Sequence, residues 1–337
     1  MDEQQTTTIA VLGAGSWGTA LAILLSGNGH RVNLWGHLPE EIEPLIRHRE
    51  NRQYLPGVEF PPALNPETDL NTALEAASEI LIAVPSHAFK SITTNLAPKL
   101  HAQQPGITWA TKGFEPGTQQ LLSDVAAAQL PGRELAVISG PTFAGEVARG
   151  LPTAVTVAAT TPRHGERIAE LLHAPWFRAY TSDDLIGVQV GGASKNVLAI
   201  AAGIADGLGF GANTRAALIT RGLTEIMRLG IKLGGKQDTF MGLAGLGDLV
   251  LTCTDNQSRN RRMGLALAEG LSQEAARIEI GQEVEGVHAA QEVHALATRH
   301  GVEMPISEQV YRVLYEGLAP KQAVHNLLER RQKAEGL

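Results

Sequence analysis

The chain has 337 residues, enough for about two domains of ordinary size, because single domains typically hold ~100–200 residues. A formal net charge of -7 gives no general attraction to nucleic acid or to an anionic membrane, so neither is an expected partner. The single cysteine, Cys253, excludes an internal disulfide and is typical of a reducing compartment.

Targeting, membrane and metal signals are not apparent in the sequence. The segment Met1–Gly13 lacks the basic region and apolar stretch of a signal peptide, so we expect a cytoplasmic protein. No uncharged apolar run reaches the ~18 residues of a spanning helix, and we expect no membrane insertion. The 11 histidines show no ligand spacing, and one cysteine cannot form a thiolate cluster, so no metal is expected.

From Thr8 to about Ser182, short β-branched runs alternate with amphipathic stretches rich in Ala and Leu. The alternation predicts a mostly parallel sheet covered by helices on both faces. The predicted strands are Thr8–Leu12, Val32–Trp35, Glu79–Val84, Ile107–Ala110, Leu135–Ser139 and Thr153–Ala158. Four of them lead into Gly13, Pro85, Thr111 and Gly140. Ligands bind beyond the carboxyl ends of such strands, so these four ends are the expected binding edge.

After about Gly187 the apolar residues follow a helical period. The predicted helices are Val188–Leu208, Thr214–Leu233, Arg262–Ala268 and Val284–His300. No repeat or long linker separates the two patterns. The sequence therefore predicts an α/β fold with a Rossmann-like, doubly wound domain over residues 1–188 and an all-helical substrate-binding domain over residues 189–337.

The first predicted strand runs into the glycine-rich segment Gly13–Gly18, which reads Gly-Ala-Gly-Ser-Trp-Gly and opens the predicted helix Thr19–Ser26. Glycines permit a tight turn and close approach of the pyrophosphate, while the helix N–H groups face the phosphates. An ordinary glycine turn is the alternative. The strand before the segment and the helix after it favour dinucleotide binding.

The end of the second strand normally carries an acid when NAD is selected, because that acid binds the ribose hydroxyls. Here the strand ends Trp35-Gly36-His37, without a carboxylate. A 2′-phosphate is therefore permitted, and NADP is favoured over NAD, with His37 as a polar neighbour. His37 could equally be a solvated turn residue.

Two lysines are candidates for chemistry on an anionic substrate. Lys112 follows a buried-type strand at the expected binding edge, although it could be an ordinary surface lysine. Lys195 is flanked by small and apolar residues on its predicted helix, and burial lowers a lysine's pKa towards the range useful for proton transfer. Asn196 and Asp248 are its candidate partners. Asp248 could instead cap the next helix.

The segment from Ser258 onward places three arginines at the start of a predicted helix, where cations oppose the helix dipole unless an anion is bound. Ser258, Asn260 and the fork of Arg259 could converge on a phosphate. The alternative is a solvated basic helix start, and we expect Arg261 and Arg262 to point to water.

Two acids, Glu283 and Glu285, have no clear assignment. They either reach a cofactor or begin the helix that follows Gly286.

Nine motifs spread in order over nearly the whole chain. They are Gly-Ala-Gly-Ser-Trp-Gly-Thr-Ala at 13–20, Leu-Trp-Gly-His at 34–37, Tyr-Leu-Pro-Gly at 54–57, Val-Pro-Ser-His at 84–87, Thr-Lys-Gly at 111–113, Ser-Gly-Pro-Thr-Phe-Ala at 139–144, Ala-Ser-Lys-Asn at 193–196, Gly-Leu-Gly-Asp-Leu at 245–249 and Ser-Arg-Asn at 258–260. Together they resemble bacterial NAD(P)-dependent glycerol-3-phosphate dehydrogenase.

The resemblance implies reversible hydride transfer between NADPH or NADH and dihydroxyacetone phosphate, which yields sn-glycerol 3-phosphate for glycerophospholipid biosynthesis, in a homodimer. It implies that Lys195 transfers the proton, with Lys112 and Asp248 around the reacting centre. For the substrate it implies Lys112, Gly140, Thr142, Lys195, Asn196, Asp248, Thr252, Ser258, Arg259 and Asn260. For the cofactor it implies Gly13, Gly15, Ser16, Trp17, Gly18, His37, Tyr54, Lys112, Ala144, Arg259, Glu283 and Glu285.

Two other functions compete with this one. A dehydrogenase of similar plan could act on a 3-hydroxy acid or a ketopantoate-like substrate, but it would need a carboxylate clamp, whereas Lys112 and the Ser-Arg-Asn helix start suit phosphate better. A non-catalytic nucleotide sensor could keep the same fold. Such a sensor has no use for a buried lysine beside Asp248.

Overall fold

The computed structural model describes residues 6–100 and 106–330. Contacts divide the chain into two compact units: the first holds residues up to Thr111 and Leu122–Leu185, and the second holds Lys112–Leu121 and residues from Ile186 onward. The domain boundary after residue 188 stays a prediction. The sequence pattern alone gives no reason to count Lys112–Leu121 with the helical unit.

The first unit contains an eight-stranded sheet. Its strands are β1 (Thr8–Leu12), β2 (Arg31–Trp35), β3 (Leu64–Glu67), β4 (Glu79–Ile82), β5 (Ile107–Trp109), β6 (Leu135–Ser139), β7 (Thr153–Ala159) and β8 (Phe177–Ser182). They lie in the order β3-β2-β1-β4-β5-β6-β7-β8, and the pairing is parallel everywhere except between β6 and β7. The first six strands have the order of a doubly wound dinucleotide-binding sheet. The predicted fold class of this part is confirmed.

Helices of the first unit cover the sheet. They are α1 (Ser16–Gly27), α2 (Pro39–His48), α3 (Leu70–Leu74), α4 (Ser86–Leu96), α5 (Leu122–Gln129), α6 (Ala144–Ala148) and α7 (Pro162–Leu172), with a 3₁₀ turn at Ala97–Lys99. Strands β4 and β6 are buried along their whole length. This explains their continuous apolar runs, since a strand with helices on both faces has no solvent-facing side.

Two strands, β3 and β8, were not predicted. Both are edge strands of the sheet. β3 reads Leu-Asn-Pro-Glu and β8 reads Phe-Arg-Ala-Tyr-Thr-Ser, so neither has the apolar run of a central strand. Edge strands tolerate proline and charged residues because one side of their backbone needs no partner.

From Ile186 onward the second unit contains helices and no strand among its described residues, as predicted, while its segment Lys112–Leu121 is not helical. It contains α8 (Leu185–Gly207), α9 (Ala212–Lys232), α10 (Gln237–Met241), α11 (Asp248–Thr254), α12 (Arg259–Ala268), α13 (Gln273–Ile280), α14 (Glu285–His300), α15 (Pro305–Tyr315) and α16 (Pro320–Leu328), with a π-helical turn at Leu243–Gly247. By length and composition α8 could cross a membrane, but it is largely buried inside the protein. It is the core helix of this unit, with Val190, Val197 and Ile200 fully buried.

Candidate functional site

The loop that joins β1 to α1 exposes backbone N–H groups to a ligand. Gly13 has φ +119, and a Cβ on Gly18 would lie 1.9 Å from the Gly13 carbonyl oxygen, so neither position accepts a side chain. A Cβ on Gly15 would meet nothing within 4 Å. Within residues 6–100 and 106–330, no side chain caps α1, which begins at Ser16 and leaves its first N–H groups open. These features fit a pyrophosphate, since the glycines let its oxygens approach the helix N-terminus.

A buried asparagine that the sequence reasoning missed holds this loop in place. Asn51 donates a hydrogen bond from Nδ2 to the Ala14 carbonyl oxygen and to Thr19 Oγ1, both at 2.9 Å, and its Oδ1 accepts from the Tyr54 backbone N–H. The Tyr54 hydroxyl donates to Glu41 at 3.2 Å. No sequence signal marks Asn51, because its two partners in the loop lie far away along the chain.

The end of β2 carries no carboxylate, as the sequence shows. Trp35 is buried and donates from its indole N–H to the Thr68 carbonyl oxygen. His37 is exposed, and its ring lies edge-on to Trp35 with ring centroids 6.2 Å apart. An exposed imidazole at this point fits either a ribose phosphate or solvent.

The four strands whose ends were predicted to bind ligand, β1, β4, β5 and β6, are consecutive parallel neighbours. Their carboxyl ends therefore share one edge of the sheet. Beyond β6, Gly140 has φ +151, and a Cβ there would lie 3.0 Å from the Val155 Cα, so the position needs glycine. Thr142 donates from its hydroxyl to the Gly140 carbonyl oxygen at 3.2 Å, and Ala144 begins α6.

The second unit contains a buried cluster of charges. Lys195 Nζ donates to Asp248 Oδ1 at 2.5 Å and to Thr252 Oγ1 at 2.7 Å, while Lys112 Nζ donates to Asp248 Oδ2 at 2.6 Å. Asp248 is fully buried and Lys195 is 6% exposed. Two cations thus share one carboxylate, and the cluster has a net positive charge that attracts an anion.

Close backbone packing brings these side chains together. A Cβ on Gly191 of α8 would lie 2.6 Å from the Ala244 carbonyl oxygen, and one on Gly245 would lie 2.1 Å from the Phe240 carbonyl oxygen. The π-helical turn ends at Gly247, directly before Asp248, and such turns are frequent at functional sites. Asp248 is the first residue of α11 and does not cap it, so the capping interpretation is wrong.

Burial lowers the pKa of Lys195 to about 8, against an ordinary lysine value of 10.5. Loss of solvent is the largest cause, the Asp248 carboxylate acts in the opposite direction, and the Lys112 ammonium adds to the decrease. An ammonium of this acidity can give up a proton near neutral pH and take it back, which is what a general acid and base must do.

Asn196 has a different partner from the one expected. Its Oδ1 accepts from Asn260 Nδ2 at 2.9 Å, and Asn260 Oδ1 accepts from the Gly286 backbone N–H at 2.8 Å. The hydroxyl of Thr252, rather than the amide of Asn196, accompanies the carboxylate at Lys195. The two asparagines instead tie together α8, α12 and the first turn of α14.

Helix α12 begins at Arg259, with Ser258 as its cap accepting from the Arg261 backbone N–H at 3.2 Å. Burial lowers the pKa of the Arg259 guanidinium, and no hydrogen bond engages its side chain among residues 6–100 and 106–330. Arg261 does not point to water as expected, because it is 7% exposed and donates to Asp206 Oδ2 at 2.6 Å. The helix start thus combines open N–H groups with an arginine available to an anion.

The two ambiguous acids lie at the start of α14. Glu285 is its first residue, so the helix begins one residue before Gly286. Glu283 precedes the helix and lies 3.7 Å from Arg277 and 3.4 Å from His288. The negative charges of both acids act on Arg259 and raise its pKa against the effect of burial.

Comparisons with known proteins agree on one family. The family model of the NAD-dependent glycerol-3-phosphate dehydrogenase N-terminus matches residues 8–164, and the model of the C-terminus matches residues 184–325. Glycerol-3-phosphate dehydrogenase (NAD(P)+) from Shewanella halifaxensis is 57% identical over 335 residues, which cover 98% of each chain. The enzyme of the same name from Shewanella oneidensis is 56% identical over 97% of each chain.

Solved structures give the same result. The crystal structure of glycerol-3-phosphate dehydrogenase from Coxiella burnetii matches with a TM-score of 0.94 and 51% identity, over 96% of this chain and 99% of that one. A ketopantoate reductase from Ralstonia eutropha matches with a TM-score of 0.61 and 18% identity, over 95% of this chain and 100% of that one. The second match shows a shared fold alone.

Proposed function

The chain belongs to the NAD-dependent glycerol-3-phosphate dehydrogenase family, and from this premise we propose that it reduces dihydroxyacetone phosphate to sn-glycerol 3-phosphate with NADPH or NADH. It is an oxidoreductase of the NAD(P)-dependent class. One observation supports the reaction best: the buried Lys195 is held by Asp248 and Thr252 and has a pKa lowered to about 8.

In the proposed reaction, the glycine-rich loop Gly13–Gly18 would hold the dinucleotide, whose nicotinamide would supply the hydride for the carbonyl carbon of the substrate. The carbonyl oxygen then carries a negative charge and needs a proton. Lys195 gives that proton from Nζ, and Asp248 and Thr252 keep the ammonium oriented. Lys112, on the other oxygen of Asp248, adds a second positive charge that stabilises the developing alkoxide. In the reverse direction, neutral Lys195 takes the alcohol proton.

The phosphate of the substrate has a suitable partner at the start of α12. A phosphate offers several oxygens to the open N–H groups of a helix and to the planar fork of an arginine. Arg259 provides such a fork without a hydrogen-bonding partner among residues 6–100 and 106–330. We assign phosphate binding to this segment, with Ser258 and Asn260 placing its backbone.

The proposal for the cofactor rests on the same residues that the sequence pattern predicted. Gly13, Gly15 and Gly18 form the cradle for the pyrophosphate, and the absence of a carboxylate at the end of β2 lets NADP bind as well as NAD. We propose that NADPH is preferred, with exposed His37 near its extra phosphate.

We also propose a homodimer that works in the cytoplasm. The expectation of a dimer rests on the large helical unit and on the family that the chain belongs to. Light scattering that gives the mass of one chain at micromolar concentration would contradict the dimer.

The experiment that tests the reaction follows the loss of nicotinamide absorbance. NADPH and NADH are each mixed with dihydroxyacetone phosphate and, as the matched control, with unphosphorylated dihydroxyacetone. We expect rapid oxidation with the phosphate ester alone, and faster oxidation of NADPH. Dinucleotide binding without oxidation of either cofactor would reject the reaction and favour a carboxylate substrate or a nucleotide sensor.

A further inference from the structure

Two helices of the second unit carry the groups at the two ends of the proposed substrate. Helix α8 carries Lys195, the proton donor, and α12 begins with Arg259, the proposed phosphate anchor. The distance between donor and anchor therefore depends on how α12 lies on α8.

The backbones of α8 and α12 pack in direct contact. A Cβ on Gly203 would lie 2.1 Å from the Arg261 carbonyl oxygen, and one on Gly264 would lie 2.1 Å from the Ile200 carbonyl oxygen. Glycines bring two helices close, but they have no side chains that interlock.

An ion pair adds to the Asn196–Asn260 hydrogen bond in fixing the first turn of α12 on α8. Arg261, in the first turn of α12, donates to Asp206 Oδ2 in the last turn of α8 at 2.6 Å. Arg261 is buried, and its Nε and Nη1 have no hydrogen-bond partner in the described part of the chain. Without Asp206 a buried guanidinium would lose its anion, so the first turn of α12 would have to move to let Arg261 reach water.

We infer that Asp206 is a positioning residue for phosphate recognition: through Arg261 it fixes the first turn of α12, and with it Arg259, at the distance from Lys195 that a phosphorylated three-carbon ketone requires. This inference rests on the proposed function. Asp206 touches neither end of the substrate. Its effect should appear in the binding of the phosphorylated substrate and should leave the cofactor site of the first unit unchanged.

The main variant is Asp206→Asn, which keeps the shape of the side chain and removes its charge. We expect KM for dihydroxyacetone phosphate to rise about tenfold, with kcat changed less than about threefold. The dissociation constant of NADPH, measured by fluorescence titration, should change much less than this KM, because the glycine-rich loop that holds the pyrophosphate does not depend on α12. Arg261→Gln removes the same ion pair from the α12 side. It should also raise KM for dihydroxyacetone phosphate with little change in kcat, and it serves as the test if Asp206→Asn does not yield folded protein.

The chain offers a matched control at the same carboxylate. Arg215 of α9 donates to the same Asp206 oxygen at 2.8 Å, but it does not belong to the phosphate-binding segment. Arg215→Gln should leave KM for dihydroxyacetone phosphate near the wild-type value. An equal rise of KM in this control would overturn the inference, because any disturbance of Asp206 would then have the same effect.

A double-mutant cycle separates positioning from a general loss of structure. In an Arg259→Gln background, Asp206→Asn should raise KM by less than about twofold further, since its effect passes through Arg259. Additive effects, or an unchanged KM in both Asp206→Asn and Arg261→Gln, would overturn the inference. Wild-type protein that fails to oxidise either cofactor with dihydroxyacetone phosphate would instead reject the proposed function.

Discussion

The two units assemble their sites from different materials. In the first unit the cofactor site consists mainly of backbone: Gly13, Gly15 and Gly18 shape a loop, and α1 offers N–H groups. In the second unit the site consists of buried side chains, with Lys112 and Lys195 on one carboxylate. A backbone site tolerates few side chains, whereas a site of buried charges depends on the balance of those charges.

The two units should therefore control different kinetic quantities. Changes to the glycine-rich loop should affect the binding of the cofactor, and changes to the charge cluster should affect the chemical step.

Replacing the proton donor should give the largest loss. Lys195→Met keeps an unbranched side chain in the buried position and removes the ammonium, while Asp248 retains Lys112 as a partner. We expect kcat to fall about 10²–10⁴-fold, the usual contribution of general acid–base catalysis. The dissociation constant of NADPH should change less than about twofold. Exposed Lys232→Met is the control and should behave as wild type.

A loss of turnover within about tenfold for Lys195→Met would show that another group supplies the proton. If Lys195→Met also bound NADPH much more weakly, the charge cluster would control cofactor binding as well as the chemical step, which contradicts the separation between the units.

A single methyl group on the glycine-rich loop should weaken the cofactor alone. In Gly15→Ala the new Cβ meets no protein atom within 4 Å, so the fold accepts it, but it occupies the place where the pyrophosphate approaches. We expect KM for NADPH to rise about tenfold or more with an unchanged melting temperature. Gly27→Ala, at the other end of α1, also meets nothing within 4 Å and should leave both values unchanged. Normal cofactor binding by Gly15→Ala would place the pyrophosphate elsewhere.

The smallest effect on catalysis is expected at a buried acid outside the site. Glu225 of α9 accepts from the Ile306 and Ser307 backbone N–H groups at 2.7 and 3.1 Å and caps α15. Burial raises its pKa to about 7, against the ordinary 4.5, while Arg228 acts in the opposite direction. A raised pKa in the folded state favours the protonated form. The stabilisation is complete below pH ~4.5 and is lost as pH rises through ~7.

Glu225→Gln should remove this pH dependence. Wild-type protein should lose up to about 3 kcal/mol of unfolding free energy from this group between pH ~5 and ~8, at about 1.4 kcal/mol for each pKa unit. The unfolding free energy of the variant should lack this pH-dependent contribution. Its kcat at saturating substrate should equal the wild-type value. Urea unfolding at four pH values measures it, with exposed Glu279→Gln as the control. Curves that stay parallel for Glu225→Gln and wild type would contradict the assignment.

Most of the fold could be predicted from the sequence, and particular residues explain why the rest could not. Central strands such as β1 and β6 were recognised because burial on both faces demands a continuous apolar run. The edge strands β3 and β8 need no such run. Pro66 in β3 and Arg178 in β8 make their sequences unlike those of central strands. The start of α12 was placed at Arg262, where the helical period of apolar residues begins, whereas the helix begins at Arg259.

The site shows the same limit. A lysine among small apolar residues is visible in the sequence, and so Lys195 could be singled out. Of the two partners predicted for it, the structure confirms Asp248, whereas Thr252 takes the place expected for Asn196. Thr252 could not be chosen from the residues around Lys195, because it comes from a distant part of the chain through contacts at Gly191 and Gly245. Arg261 was expected in solvent, since the sequence does not show that Asp206 lies opposite. Local patterns reveal unusual residues, and only the packed structure shows what each one contacts.

The most direct test of the central claim is the pH dependence of kcat/KM in both directions with wild-type enzyme. Burial lowers the pKa of Lys195 to about 8, and reduction needs its protonated form. Reduction of dihydroxyacetone phosphate should therefore be constant below pH ~7 and fall about tenfold per pH unit above ~8, while oxidation of glycerol 3-phosphate should rise with pH and level off above ~8. A reduction rate that stays constant or increases up to pH ~9.5 would contradict a buried lysine as the proton donor.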